Sequence, residues 1–198
     1  MTGRDADFLG IDSKGLYRYS FTHRCMWENC TDCPLHESRS RIVWGVGNTR
    51  ARVLLLGEAP GRTEDEGGEP FIGRSGKVLD RCLDDIGKDR SDVYITNVVR
   101  CRPPRNRTPK VSEMKACREK MVWEIEKVSP EIIVTLGKTP AKAILGRDVK
   151  LKDEAGNMTS RILGDRTYEI LLSYHPAACV YHIIEPERLR GILSRAFE

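Results

Sequence analysis

The sequence predicts an α/β fold in three α/β/α layers, with a central, mostly parallel four-stranded sheet between two layers of helices. The chain has 198 residues, a length that suits one domain with a buried core. Four short apolar runs are continuous rather than alternating, which is typical of strands buried on both faces. Helical patterns separate these runs, and such alternation favours a parallel sheet. The runs are residues 53–56, 93–95 with 98–99, 132–134 and 170–172.

Four helices are expected, at residues 74–87, 111–128, 138–145 and 186–197. The first carries its apolar residues on one face, and the second has them at near-helical spacing. The last begins near Pro186, a residue that the first turn of a helix tolerates. Residues 1–20 are expected to form a loose N-terminal extension, and residues 21–198 the single domain.

Composition argues against several classes of protein. No apolar run approaches the roughly 18 residues that span a bilayer. The first ten residues include two aspartates and no apolar core, so they do not resemble a signal peptide. We therefore expect no membrane partner and a cytoplasmic, intracellular location. The net charge of +4 permits a polyanionic partner without requiring one.

The seven cysteines are an odd number without an export signal, so metal or cluster ligation explains them better than disulfides. Cys30 and Cys33 form a C-x2-C pair, and Cys101 and Cys117 follow far downstream. Four thiolates suit zinc or an iron–sulfur cluster. From spacing alone, Cys117 fits a ligand and an ordinary buried thiol equally well. The remaining cysteines, Cys25, Cys82 and Cys179, are interpreted as structural.

Charge is distributed unevenly along the chain. Residues 58–69 contain five acidic residues and one basic residue, whereas residues 100–120 contain eight basic and two acidic ones. This pattern is expected if the first segment does chemistry and the second meets phosphate. A solvated loop and a solvated helix face would give the same pattern.

Three predicted strands run directly into distinctive segments: residues 57–61, 96–97 and 173–176. Ligands of parallel sheets bind at the carboxyl ends of the strands, so these segments predict a site. His175 could act there as a general acid or base, or donate to a developing anion. Phe71 lies in a glycine-rich loop, where its ring could stack on a planar ligand or anchor the loop to the core.

Together these motifs resemble the family-4, iron–sulfur uracil-DNA glycosylases. The resemblance rests on the combination, order and spacing of five stretches, which extend over most of the chain. They are CTDCPL at 30–35, GEAPGRTEDEGGEPFIGRSG at 57–76, YITNVVRCRPPRNRTP at 94–109, Cys117, and SYHPAA at 173–178.

The resemblance implies a DNA-repair enzyme that flips uracil out of single- or double-stranded DNA and hydrolyses its N-glycosidic bond. Asn97 would read the base, Phe71 would stack on it, and His175 would donate to uracil O2. Backbone groups around Gly57 and Ala59 would hold the base carbonyls. A carboxylate, Glu58 or in reserve Asp65, would orient water or stabilise the sugar cation.

The resemblance also implies a [4Fe-4S] cluster, with zinc as the alternative, held by Cys30, Cys33, Cys101 and Cys117. The cluster would present a basic segment to the DNA backbone, with contacts from Ser75, Arg105, Arg107 and Lys110. A monomer is expected.

Two departures limit the resemblance. After the HPA motif the chain reads Cys179-Val180-Tyr181-His182, which leaves open which residue fills the gap behind a flipped base. Residues 102–108 contain no histidine, so we expect turnover rather than covalent crosslinking to DNA. The alternative function is a non-catalytic iron–sulfur module that binds nucleic acid.

Overall fold

The computed structural model describes residues 8–11, 17–19 and 27–198, and in this part of the chain a six-stranded sheet forms the centre. Strands β1 and β2 pair antiparallel in a separate small sheet. The main sheet has the order β3-β5-β4-β6-β8-β7. The strands are β1 Phe8–Ile11, β2 Tyr17–Tyr19, β3 Val46–Gly47, β4 Val53–Gly57, β5 Val93–Asn97, β6 Ile132–Leu136, β7 Met158–Leu163 and β8 Arg166–Ser173.

The four central strands, β5, β4, β6 and β8, are parallel, as the apolar runs predict. The expected strand number of four was too low, because two antiparallel edge strands complete the sheet. Neither carries a buried apolar run: β3 has two residues, and the side chains of β7 are exposed except at Leu163. The sequence does contain a signal for the β7–β8 hairpin: Gly164-Asp165 forms its two-residue turn, with Gly164 at φ 59°.

Seven α-helices lie among the described residues. Those predicted at 111–128 and 138–145 have the expected bounds, and the one predicted at 186–197 ends at Ser194. The first long helix ends at Asp84 rather than 87, because the chain turns at Gly87 with φ 69°. The helices are α1 Arg62–Gly67, α2 Arg74–Asp84, α3 Val111–Val128, α4 Lys138–Leu145, α5 Leu151–Glu154, α6 Ala177–Val180 and α7 Pro186–Ser194.

Two apolar layers cover the sheet, as expected for an α/β/α fold. Successive residues of β4 point into opposite layers. Val53 and Leu55 pack in the core cluster that includes residues of α2 and α7. Leu54 and Leu56 pack in the cluster that includes residues of α3 and α4. All four are almost completely buried. This double burial explains why the strand reads as one continuous apolar run.

The expected N-terminal extension contains the β1–β2 sheet, and its remaining residues lie outside the described part of the chain. Cys25 also lies outside it. The division into extension and domain stays a prediction. In the described residues, no helix combines the length and apolar character needed to cross a bilayer.

Candidate functional site

The predicted site residues meet at the carboxyl ends of β4, β5 and β8, and we call their meeting place the strand-end pocket. Gly57 ends β4 and is paired in register with Asn97, which ends β5. The backbone N–H of Val98 donates to the Gly57 carbonyl at 2.9 Å, so the hydrogen bonding between the two chain segments extends one residue beyond β5. His175 follows β8 by two residues. Parallel topology thus brings together residues that are far apart in the sequence.

Asn97 supplies the pocket with an unused acceptor. Its side chain is 2% exposed, and the amide oxygen Oδ1 has no hydrogen-bond partner among the described residues. A buried polar atom without a partner costs about 1–3 kcal/mol. Such an atom is expected where a ligand donor completes the bonding. Gly57 packs closely against this oxygen, so that a Cβ on Gly57 would lie 2.4 Å from Oδ1 and only glycine fits here.

Phe71 forms a wall of the same pocket. A Cβ on Gly57 would stand 2.6 Å from two atoms of the Phe71 ring. Phe71 adopts φ 55°, a left-handed conformation that is uncommon for an aromatic residue. Arg90 holds this turn through hydrogen bonds to the carbonyls of Pro70 and Phe71, and it pairs with Asp80 at 2.8 Å. Phe71 is therefore both buried and fixed in orientation.

His175 faces Phe71, with ring centroids 5.6 Å apart. Its Nδ1 accepts a hydrogen bond of 3.0 Å from the backbone N–H of Ala177. The neutral ring must then carry its proton on Nε2, which makes that nitrogen a donor. Burial lowers the pKa of His175 to about 4, although part of the side chain stays accessible. The imidazole is therefore neutral at neutral pH.

The two candidate carboxylates lie in different surroundings. Glu58 is half-buried, and its Oε2 accepts a 2.5 Å hydrogen bond from Thr139 Oγ1 at the start of α4. The adjacent Gly137, at φ 112°, lies against His175: a Cβ there would be 3.3 Å from the histidine Cβ. Asp65 is 2% exposed, and both of its oxygens accept from the backbone N–H of Ser40 at 3.0 Å. Glu58 is thus near the pocket, while Asp65 ties α1 to the segment around Ser40.

A second pocket is lined by all four predicted ligand cysteines: Cys30, Cys33, Cys101 and Cys117. Trp27 and Trp44 shield this pocket, and three cations, Arg39, Arg100 and Lys120, line it as well. Arg39 Nη1 is 3.3 Å from Cys101 Sγ. Burial raises the pKa of the Cys101 thiol to about 11 and also raises the pKa values of Cys33 and Cys117.

The donor set of this cysteine pocket fits a polynuclear anionic group. Among the described residues, no group of three or more His, Cys, Asp or Glu side chains has the geometry to hold a single metal ion. All four cysteines line one cavity, and each cysteine in a [4Fe-4S] site binds a different iron. The surrounding cations suit the excess negative charge of four thiolates.

The residues predicted to contact DNA differ in their exposure and in whether their charge is already paired. Arg105 and Lys110 are exposed, and Ser75 is half-buried in the first turn of α2. Arg107 makes a two-point ion pair with Glu113, at 2.6 and 2.8 Å. This pair compensates the charge of Arg107 and helps to fix the start of α3, where Glu113 also accepts from the Lys110 backbone N–H.

The model of the Uracil DNA glycosylase superfamily matches residues 44–192 of the chain. The chain belongs to the uracil-DNA glycosylase superfamily. A Type-4 uracil-DNA glycosylase of Pyrobaculum aerophilum is 40% identical over 168 residues, covering 83% of this chain and 84% of the relative. The Archaeoglobus fulgidus Type-4 enzyme is 42% identical, covering 77% and 79%. That of Thermotoga maritima is 40% identical, covering 76% and 77%.

Sequence reasoning missed the residues that support the superfamily's strand-end motifs. Thr139 and Arg90 lie outside those motifs, and each acts through a contact distant in sequence. No pattern around Arg90 indicates that it caps the Phe71 turn. A weak signal existed for Thr139, because it follows a strand and a glycine at the edge where ligands bind.

The lowered pKa of His175 makes the stability of this superfamily member depend on pH. The unfolded chain binds a proton near the ordinary pKa of 6.5, whereas the folded chain binds it only near 4. The His175 contribution is therefore complete above pH 6.5 and is lost as the pH falls towards 4, by on the order of 3 kcal/mol. Urea unfolding at pH 7 and pH 5 should show a smaller loss in His175→Asn than in the parent. Equal losses would contradict this assignment.

Proposed function

We propose that the chain is an iron–sulfur uracil-DNA glycosylase that hydrolyses the N-glycosidic bond of a uracil flipped out of DNA. The observation that carries the proposal is the buried Asn97 Oδ1, which has no hydrogen-bond partner among the described residues and lies beside Gly57, as the Phe71 ring does. Uracil is planar and offers N3–H as a donor, so it matches both the acceptor and the aromatic wall. Superfamily membership supports the reaction class.

Base recognition combines three contacts in this proposal. Asn97 Oδ1 accepts from uracil N3–H, and the side-chain amide donates to O4. Phe71 stacks on the ring, an interaction worth about 1–3 kcal/mol. Backbone groups around Gly57 and Ala59 hold the carbonyls. The lack of a Cβ at Gly57 is what allows Asn97 Oδ1 and the Phe71 ring to lie together at the end of β4, where both can contact the base.

Bond cleavage breaks N1–C1′ and leaves the electron pair on uracil. His175 Nε2–H donates to O2, where negative charge develops, and keeps its proton. With a pKa of about 4, the His175 imidazole is neutral at neutral pH and donates through Nε2–H. A neutral donor suits this role, because a cationic imidazolium would have to be buried as a desolvated charge. A positioned donor of this kind contributes about 3–4 kcal/mol to catalysis.

Glu58 is the carboxylate that we assign to the sugar side of the reaction. It stabilises the positive charge at C1′ and orients the water whose oxygen bonds to that carbon, and the proton that this water loses balances the charge of the uracil anion as neutral uracil leaves. Its hydrogen bond to Thr139 fixes one carboxylate oxygen and leaves the other available. Asp65 stays in reserve, because both of its oxygens are used by Ser40.

Cys30, Cys33, Cys101 and Cys117 would hold the cluster. Bound there, a [4Fe-4S] cluster would supply four iron–thiolate bonds that cross-link three chain segments and present residues 101–117 to DNA. Exposed Arg105 and Lys110, with Ser75 and the partly compensated Arg107, are proposed to contact phosphates. An intracellular, monomeric protein is part of the same proposal.

The test is an excision assay with oligonucleotides that carry one uracil in U:G, U:A or single-stranded form, with thymine in the matched control. We expect strand cleavage at the uracil after alkali treatment and release of free uracil. The U:G substrate should react faster than U:A because a mispaired base is easier to flip. Intact uracil strands together with salt-dependent DNA binding would contradict the proposal and support the non-catalytic module.

Thr139→Val should lower kcat about tenfold, because a lost hydrogen bond to a carboxylate releases Glu58 from one orientation. Single-turnover excision with saturating enzyme measures this effect. Thr139→Ser keeps the hydroxyl and should retain most of the rate. Equal losses in the two variants would show that the methyl packing of Thr139 matters rather than its hydrogen bond.

A further inference from the structure

The Arg100 side chain lies between the two pockets. It follows Asn97 by three residues and directly precedes Cys101. At 1% exposure it is among the largest fully buried side chains among the described residues. Its backbone segment is fixed on two sides, because Val99 N–H donates to the Glu58 carbonyl and Val43 N–H donates to the Arg100 carbonyl.

One end of the guanidinium holds the base-reading strand. Nη1 donates to the backbone carbonyl of Asn97, and Nη2 donates to Glu124 Oε2 at 2.6 Å. Glu124 also accepts from Thr96 Oγ1 at 2.5 Å and from the Gly45 backbone N–H at 2.8 Å. This buried network joins the end of β5 to α3.

Arg100 also lines the cysteine pocket. Nε is buried and has no hydrogen-bond partner among the described residues. Cys117, which lines the same pocket, has its pKa raised by burial, and the positive charge of Arg100 opposes that rise. A buried N–H beside four thiolates matches the hydrogen-bond donors to sulfur that tune iron–sulfur sites.

We propose that Arg100 is a positioning residue that links the cysteine pocket to base recognition, with Nε–H donating to the sulfur ligands while Nη1 fixes the Asn97 carbonyl. This inference rests on the proposed function and adds a role for Arg100, a residue of the 94–109 stretch that has no part in the proposed reaction. A bound cluster then gives Arg100 its missing partner, and the fixed guanidinium orients the amide that reads uracil.

Arg100→Lys is the first variant to test. It keeps the charge beside Glu124, but one ammonium cannot reproduce the planar fork that serves several acceptors at once. We expect a lower midpoint potential of the cluster, measured by redox titration with EPR detection, since a donor to sulfur is lost. We also expect the Kd of free uracil to rise about tenfold.

The double variant Arg100→Met/Glu124→Gln removes both buried charges, so no uncompensated charge destabilises the core. Both readouts should change in the same directions as in Arg100→Lys. Arg118→Lys is the matched control: Arg118 is exposed, adjoins Cys117 and bonds to the Ala143 carbonyl. It should leave both readouts at the parent values.

The outcomes separate this inference from the proposed function. Parent protein without cluster absorbance or uracil release would contradict the proposed function itself. If the parent behaves as proposed but Arg100→Lys has the parent's midpoint potential or the parent's Kd for uracil, the role of Arg100 is overturned and the proposed function stands. Failure of both Arg100 variants to fold, seen by thermal unfolding, would assign Arg100 to stability and would also overturn it.

Discussion

His175→Ala is expected to lower kcat for uracil excision by about 10²–10³-fold, with a much smaller change in uracil affinity. The neutral Nε2–H donor meets negative charge that develops mainly in the transition state, so its loss affects the chemical step. The Ala177 N–H that now bonds to Nδ1 sits at the accessible end of β8, where water can replace the ring. The fold should therefore survive.

Single-turnover excision under saturating enzyme measures this effect on chemistry, and equilibrium binding of free uracil measures affinity. Asp165→Asn is the control, because Asp165 is exposed in the turn between β7 and β8, at the end of β8 opposite to His175. It should react at the parent rate. A His175→Ala rate within threefold of the parent would remove His175 from the chemical step.

Gly57→Ala is expected to reduce kcat/KM by at least about 100-fold, because the new methyl group would displace Asn97 and Phe71, the two residues proposed to hold the base. It would overlap Asn97 Oδ1 and press on the Phe71 ring. Overpacking of a tight site typically costs about 1–3 kcal/mol, and here the same displacement also removes base contacts. Uracil excision and thermal unfolding together separate lost function from lost stability.

Gly191→Ala provides the matched glycine control. Gly191 lies in α7, and a Cβ there meets nothing within 4 Å. This substitution should leave excision unchanged and raise stability by up to about 1 kcal/mol through helix propensity. Normal activity in folded Gly57→Ala would show that the base does not bind beside Gly57.

The sheet was predictable where burial on both faces leaves a continuous apolar run, as in β4 and β6. It was not predictable at the edges, because β3 has only two residues and β7 exposes both of its faces to water, so its side chains need not be apolar. β7 shows this, with exposed Thr159 and Arg161 pairing against β8. The Gly164-Asp165 turn was the available signal there.

The candidate site was predictable where residues adjoin strand ends, since parallel topology brings Gly57, Asn97 and the segment of His175 to one edge. Contacts between side chains distant in sequence were not predictable. The ion pair of Arg107 with Glu113 is one case, because a single basic segment in the sequence does not reveal which charges are already compensated. The orientation of Phe71 by Arg90 is another.

The most direct test of the central claim is a ¹⁵N-edited NMR titration of the histidine side chains with free uracil. The chain has four histidines, so His175 can be assigned by comparison with His175→Asn. We predict a ring protonated on Nε2 at pH 7, and a saturable downfield shift of that proton as uracil binds. A cationic His175 at pH 7, or saturation by uracil without any change in its Nε2–H signal, would contradict the proposal that this pocket receives the base.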